Sequence, residues 1–400
     1  MDSLSDDLNN AIDWLYSTQM FGIKLGLDNI TRLLKEAECF PSGRTKVVQV
    51  VGTNGKGSTC AFLESLAQAH GLRTGMFTSP HLIHFRERIR VHGVEISDTE
   101  LSEHLNYFKK LVADWDPHPT FFELSVAIAM RHFLRHRCEL IILEAGMGGR
   151  LDATTAIPKD LVLVTPIGMD HQQHLGDNLT KIAEEKAAVM RKGTPCISSP
   201  QTEEARKTLL QIAGETRCPI DFITQPILGL PIALPGEHQA WNAHLAIEGL
   251  TAILGPASLR YDSVRNGLSQ VSWRGRFQII ENGDRVTVLD CAHNVPAAEA
   301  LVTQWKSEFQ DKKCHLIFGA ASDKNIPSIL ELILPLTNSV EVYKLANSRG
   351  ETTENLKEAV SKIAPNLQCK ELTNLTDHSQ SERLLVVGSV FLVGEWLEHV

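Results

Sequence analysis

The chain has 400 residues, more than one ordinary hydrophobic core accommodates, so two or more domains are expected. Its 43% hydrophobic and 22% charged content is that of a globular protein in water, and a net charge of −9 without any basic block argues against nucleic acid as a partner. The acidic start Met-Asp-Ser-Leu-Ser-Asp-Asp and the lack of an apolar run near ~18 residues read against a signal peptide or a membrane span. Eight scattered cysteines with no C-x-x-C pair read as reduced, buried thiols, so the expected compartment is the cytoplasm.

After an amphipathic helical start at about Leu8 to Tyr16, strand-like and helix-like patterns alternate. Strands are predicted at Val47 to Val51, Leu140 to Leu143 and Leu161 to Thr165, and helices at Cys60 to His70, Ser125 to Arg135 and Leu179 to Arg191. That βαβ rhythm predicts an α/β fold with a mostly parallel sheet covered on both faces. Thr194 to Pro235 is richer in proline and hydroxyl residues and less periodic, and a helix returns at Asn242 to Leu254. A second, smaller α/β unit starts near Ser272, after which strands at Val286 to Leu289, Cys314 to Phe318, Val340 to Leu345 and Leu384 to Val387 alternate with helices at Pro296 to Phe309 and Thr353 to Ile363. The expected domains are therefore 1–271 and 272–400, joined by Ser-Trp-Arg-Gly-Arg-Phe at 272–277.

Val51-Gly-Thr-Asn-Gly-Lys-Gly-Ser-Thr59 is a glycine loop between a strand and a helix, the setting in which backbone N–H groups and a helix N-terminus face a polyphosphate. Lys56 would reach the β/γ-phosphates, with Ser58 or Thr59 on the magnesium. The loop departs from the strict P-loop, because Val50 stands where its first glycine belongs and Gly57 where its hydroxyl belongs. Glu144 ends a strand and is followed by Ala-Gly-Met-Gly-Gly-Arg-Leu-Asp152, beside the phosphate loop, where an oxygen ligand for Mg²⁺ is needed. His171, after Val164-Thr-Pro-Ile-Gly-Met-Asp170, also ends a strand. With His174 it has an i, i+3 spacing, but companion zinc ligands at a recognised spacing are missing, so a magnesium shared with Glu144 is preferred. Lys186, on spacing alone, reads as a solvated helix lysine.

Taken in order, these strings resemble the folylpolyglutamate synthase/dihydrofolate synthase family of the Mur ligase group. The carriers are Gly52 to Ser58, Ser79-Pro-His-Leu82 with Glu87-Arg88, Glu144 to Asp152, Gly168 to His171, Glu185-Lys-Ala187, Trp273-Arg-Gly-Arg276, Asp290 to Asn294 and Gly388-Ser389. The resemblance spans about Phe21 to Glu395. It implies a P-loop Mur ligase-like central domain with a mostly parallel sheet and a smaller Rossmann-like C-terminal domain. The implied reaction is an ATP-dependent amide ligation, in which a pteroate or folate carboxylate is phosphorylated and the amine of L-glutamate attacks the acyl phosphate. Carried over by position, Gly55, Lys56, Gly57 and Ser58 cradle the triphosphate, and Asn242, Arg276 and Asp290 contact the nucleotide. Ser79, Glu144 and His171 hold Mg²⁺, joined by Lys186, which the family carries as a carbamate; a K⁺ ion is also admitted. Lys56, Lys186 and His293 are the implied catalytic residues, with His293 and Ser389 gripping glutamate. Phe122, Glu123, Arg150, Leu151 and Asp152, with the stretch Met20 to Gly22, are implied on the pterin side.

Cys291, Val295, Ala188 and Asn325 depart from the family pattern and touch the expected shape of the glutamate pocket rather than any charged group. The implied partners are small molecules (dihydropteroate or reduced folate, and L-glutamate), acting on a monomer with neither nucleic acid nor membrane. Three readings stay open beside a bifunctional enzyme: a tail-lengthening folylpolyglutamate synthase alone, a Mur ligase acting on a cell-wall precursor, and a nucleotide-gated binding module without turnover.

Overall fold

In the computed structural model, which describes residues 2–21 and 26–399, two mostly parallel sheets carry the chain. The first contains β1 (Lys46–Val51), β2 (Thr74–Phe77), β3 (Ile89–Val91), β4 (Val94–Glu95), β5 (Leu140–Glu144), β6 (Leu161–Val164), β7 (Cys196–Ser198) and β8 (Ile220–Phe222). Their order is β4-β3-β2-β5-β1-β6-β7-β8, antiparallel only where β3 meets β2 and β4. The second contains β9 (Gln278–Asn282), β10 (Arg285–Asp290), β11 (Cys314–Phe318), β12 (Thr337–Tyr343), β13 (Cys369–Leu372) and β14 (Arg383–Val387), ordered β13-β12-β11-β14-β10-β9 with β9 antiparallel.

The unbroken apolar runs of the sequence belong to strands buried on both faces, where successive side chains enter opposite cores. In β5, Ile141 and Leu143 join the core under the helices Asp28–Glu36, Asp98–Leu111 and Phe121–Arg135. Leu140 and Ile142 enter the opposite core, under Lys56–Ala69 and Glu237–Leu254. In the second sheet Leu316 and Phe318 face one core and Ile317 the other. A buried polar residue, Gln49, is satisfied by donating to Thr154 Oγ1 at 2.7 Å and Thr155 Oγ1 at 2.8 Å.

Two stretches differ from expectation. The helix predicted to Arg191 ends at Ala187, after which the Met190 N–H closes a turn on Ala187 O at 2.9 Å and Arg191 folds its guanidinium onto the carbonyls of Ala188 (2.6 Å) and Met190 (2.9 Å). The weakly periodic stretch after Thr194 holds β7 and β8, strands of three residues each and too brief to show a period, and between them the helix Glu203–Thr216, which the sequence reading passed over. All eight cysteines are free, seven of them buried, and among the described residues no helix is long and apolar enough to cross a membrane.

Strands β2, β5, β1 and β6 are adjacent and parallel, so the segments after Phe77, Glu144, Val51 and Val164 emerge side by side at one edge. The corresponding edge of β11, β14 and β10 presents the segments after Phe318, Val387 and Asp290. Ligands in such sheets bind beyond the carboxyl ends of strands.

The Lys56–Ala69 helix is fixed from behind by Tyr261–Ser269, where Ser65 Oγ donates to Gly267 O at 2.7 Å and a Cβ on Gly267 would stand 2.9 Å from Leu66 Cα. Alanine in place of a helical glycine ordinarily gains about 1 kcal/mol. Here the obstacle is backbone, so Gly267→Ala is expected to lose about 1–3 kcal/mol, read as a lower urea midpoint.

Candidate functional site

Two close approaches shape the glycine loop after β1. Gly52, at φ +145°, lies against Thr165, and Gly55, at φ +87°, would place a Cβ 2.5 Å from Asn242 Oδ1, so neither position admits a side chain. Thr53 and Asn54 give their N–H groups to Pro166 O at 3.0 and 3.3 Å, stitching the loop to the segment after β6. Thr59 N–H closes on Gly55 O at 2.8 Å, so the N–H groups of Lys56, Gly57 and Ser58 are those a helix N-terminus leaves for an anion.

Two lysines converge on one carbonyl. Lys56 Nζ donates to Gly52 O at 3.2 Å and Thr53 O at 3.0 Å, and Lys186 Nζ donates to Gly52 O at 2.8 Å. Lys186 is 4% exposed, and burial, then the Lys56 charge, bring its pKa down to about 7 against the pull of Asp170, Asp152 and Glu185. A sizeable share of this amine is therefore neutral near neutral pH. Glu144, at the end of β5, is buried and accepts the Ser79 N–H at 3.1 Å. Burial pushes its carboxyl up in pKa, opposed by Lys56, the Ser79 N–H, Arg276 and Arg88. Glu144, Ser79, Gly57 and Arg276 line one cleft with Trp273, and its wall includes Cys291 and Val390 from the second sheet's side.

Asp170, after β6, is the hub between the sheets. Its carboxylate accepts Lys324 Nζ at 2.6 Å, with both side chains only 9% exposed, and receives Asn294 Nδ2 at 3.4 Å and His293 Nε2 at 3.6 Å. Burial alone would raise its pKa, but His293, His171 and Lys324 more than offset it and hold the carboxyl well below the usual range. Beside it Asn54 of the glycine loop and Asn294 exchange amide hydrogen bonds at 3.0 and 2.9 Å. His171 takes a left-handed backbone (φ 50°), and burial, then Lys324, Lys56 and His293, against Asp170, bring its pKa down to about 4.

Residues 275–390 match the family described as Mur ligase, glutamate ligase domain. Over 413 residues the chain is 31% identical to dihydrofolate synthase/folylpolyglutamate synthase of Buchnera aphidicola subsp. Schizaphis graminum, covering 96% of this chain and 92% of that protein. The chain belongs to the dihydrofolate synthase/folylpolyglutamate synthase family. Its fold superimposes on Mycobacterium tuberculosis folylpolyglutamate synthase complexed with ADP and AMPPCP with a TM-score of 0.89, at 25% identity over 98% of both chains. The bifunctional enzyme of Yersinia pestis complexed with AMPPNP and Mn ion gives a TM-score of 0.85 at 27% identity, over 98% of this chain and 97% of that one.

The other sequence-predicted positions of this family member fall into two groups. Some stand at the cleft or the glycine loop: Asn242 against Gly55, and Ser58, whose Oγ receives Gln239 Nε2 at 3.4 Å. Phe122 sits over the turn after β5, where a Cβ on Gly146 would be 2.6 Å from its ring. Others are engaged in shaping backbone. Asp152 accepts the N–H groups of Gly146, Met147 and Thr154, and Asp290 accepts those of Phe277 and Ala292. Glu123 closes a capping box with Thr120, and Ser389 Oγ accepts the Phe391 N–H at the start of Val390–His399. Arg150 pairs with Glu185 at 2.8 Å, and Leu151 is 37% exposed. Gly22 lies outside the described residues, as do the side chains of Met20 and His174.

Sequence reasoning gave no role to Asp170, Asn54, Asn294 or Lys324, although the first three lie within strings it had singled out. It also gave no role to Arg88, a carrier of the resemblance, whose Nε donates to His81 Nδ1 at 2.8 Å while its guanidinium lies 5.3 Å from the Phe121 ring, itself stacked on Tyr16. His81, brought down to about 3 by burial and then Arg88, is neutral and keeps its proton on Nε2 toward Tyr16.

Because Asp170 and Lys324 are largely withdrawn from water, Lys324→Met should cost about 1–3 kcal/mol by removing the cation nearest a carboxylate left with Asn294 and the His171 N–H, and adding Asp170→Asn should recover much of the loss. Urea unfolding of the double-mutant cycle measures this. A depressed folded pKa stabilises above the ordinary carboxylate value of about 4 and is lost as pH falls through the folded value. Wild type should therefore lose more stability than Asp170→Asn between about pH 5 and about pH 3.

Proposed function

We propose that this chain joins L-glutamate in amide linkage to dihydropteroate, forming dihydrofolate, and to reduced folates, lengthening their glutamate tail, with ATP activating the carboxylate. The carrying observation is that a free helix N-terminus, Lys56 and the buried Glu144 meet in a cleft between the carboxyl edges of two sheets. In this reading residues 1–271 bind the nucleotide and 272–400 close over it.

The N–H groups of Lys56, Gly57 and Ser58 and the Lys56 ammonium hold the triphosphate, with Lys56 leaving the loop carbonyls on which it rests. Asn242 and Arg276 flank the nucleotide. The folate carboxylate oxygen attacks the γ-phosphorus, ADP departs, and the acyl phosphate forms. The amine of glutamate then attacks the acyl carbon and phosphate leaves. Holding both reactants in a cleft removes the entropy of a bimolecular encounter and keeps water from the acyl phosphate. Glu144 is a hard oxygen donor withdrawn from water beside the Lys56 charge, which fits a divalent cation. With Ser79 and His171 it would hold Mg²⁺, which when bound offsets charge on the phosphates. Phe122, Arg150 and Leu151 border the folate side, where Glu123 and Asp152 act by fixing backbone. His293 and Ser389 are assigned to glutamate.

Lys186 is the candidate for a carbamate, since a neutral buried amine is what reacts with carbon dioxide. Lys186→Ala should lose most turnover while keeping the wild-type fold by circular dichroism, and wild-type activity should fall in carbonate-depleted buffer and return with bicarbonate. Undiminished turnover in the variant would remove Lys186 from the reaction. The decisive experiment is product mass after incubation with ATP, Mg²⁺ and L-glutamate. Glutamate added to both dihydropteroate and a reduced folate monoglutamate is the expected result. Addition to the folate alone would restrict the activity to tail lengthening, and addition to neither would overturn the assignment.

A further inference from the structure

The helices Asp98–Leu111 and Phe121–Arg135 pack together in the core beneath the first sheet, and each brings polar residues to their seam at i, i+4 spacing. Glu100 and His104 come from the first helix, and His132 and His136 from the end of the second. One ligand atom each from Glu100, His132 and His136 lies within 4.8 Å of the others, a grouping of such side chains found nowhere else among the described residues. His136 Nε2 stands 2.8 Å from Glu100 Oε1, and the rings of His132 and His136 are 4.4 Å apart. Ser97 Oγ donates to the other Glu100 oxygen at 2.6 Å and orients the carboxylate.

The buried side of this cluster is unsatisfied. His132 is 2% exposed with Nδ1 unpartnered, and His104 is 1% exposed with Nε2 unpartnered. Burial and the neighbouring His136 bring His132 down to about 4, so it is a neutral imidazole with a lone pair to give. His104 Nδ1 faces Arg131 Nη1 at 2.5 Å and accepts from it, which leaves the proton on Nε2 as a donor without an acceptor. The nearby cations are drawn aside, Arg135 to Glu103 at 3.3 Å and Arg131 over the Tyr107 ring at 4.0 Å.

We propose that Glu100, His132 and His136 form a binding site for a divalent transition ion of the zinc type, pinning the two helices together. Two imidazole nitrogens and one carboxylate oxygen suit zinc and not the oxygen-seeking Mg²⁺ of the cleft. The ion takes the place of the proton shared by His136 and Glu100. A water completes four-coordination. Tetrahedral ligands at zinc distances stand about 3.3 Å apart, within small side-chain adjustments of the separations present. None of the three lines the cleft, so the site is independent of the ligase reading.

The test is titration of the metal-free, full-length protein with Zn²⁺ against a chromogenic chelator, with Co²⁺ as a spectroscopic substitute. Wild type should bind one equivalent that His171→Asn retains, and Co²⁺ there should show the intense visible bands of a tetrahedral ion. Glu100 and His136 are 35% and 33% exposed, so Glu100→Gln and His136→Gln should fold, keep ligase activity and each weaken that binding at least tenfold. No uptake by wild type, unchanged affinity in both variants, or loss of the equivalent in His171→Asn would each overturn the site.

Discussion

A single carboxylate, Asp170, holds the two halves of this ligase in register. It is largely withdrawn from water, and its partners come from the other side of the cleft: the Lys324 ammonium directly, with the His293 ring and the Asn294 amide beside it. The reciprocal amide pair between Asn54 and Asn294 then ties the glycine loop to the second sheet. Leu82, from the loop after β2, adds an apolar anchor by packing against the core cluster that holds Val393 and Trp396. A phosphate loop belonging to one sheet is thereby positioned by residues of the other.

The electrostatics of the cleft run against those of the chain. The protein carries a net −9, yet Lys56, Arg276 and Arg88 surround one buried carboxylate, Glu144. Such local focusing is what a polyanionic substrate needs, and low-dielectric walls strengthen it. The two lysines do not play equal parts. Lys56 rests on two loop carbonyls, whereas Lys186 is sealed against one, and burial beside a second cation takes it toward neutrality. The same physics that makes a buried lysine costly makes its amine reactive.

Several acidic residues that look like ligands in the sequence spend their oxygens on backbone. Asp152 closes the turn after β5, Asp290 fixes the link into the second sheet, and Glu123 caps a helix. Their contribution is to hold loops in shape, which a glycine-rich turn cannot do for itself. Precision at the cleft thus rests on carboxylates that need not touch a substrate.

What the sequence by itself determined is local. Strand, glycine loop and helix at Val47 to His70 are legible because apolar runs and glycines within some twenty residues dictate them, and the βαβ rhythm implied parallel strands whose loops share an edge. The family's strings then named candidate positions, of which Gly57, Ser79, Glu144 and Arg276 come together at one cleft. Only the tertiary structure decided that Asp170 and not just its neighbour His171 matters, that Lys186 is buried rather than solvated, and that Glu100, His132 and His136 converge. Those facts depend on contacts between residues from thirty to more than a hundred and fifty positions apart, such as Asp170 with Lys324 or Lys186 with Gly52. No periodicity or spacing encodes such a contact, because burial and the pairing of charges exist only once distant segments have packed.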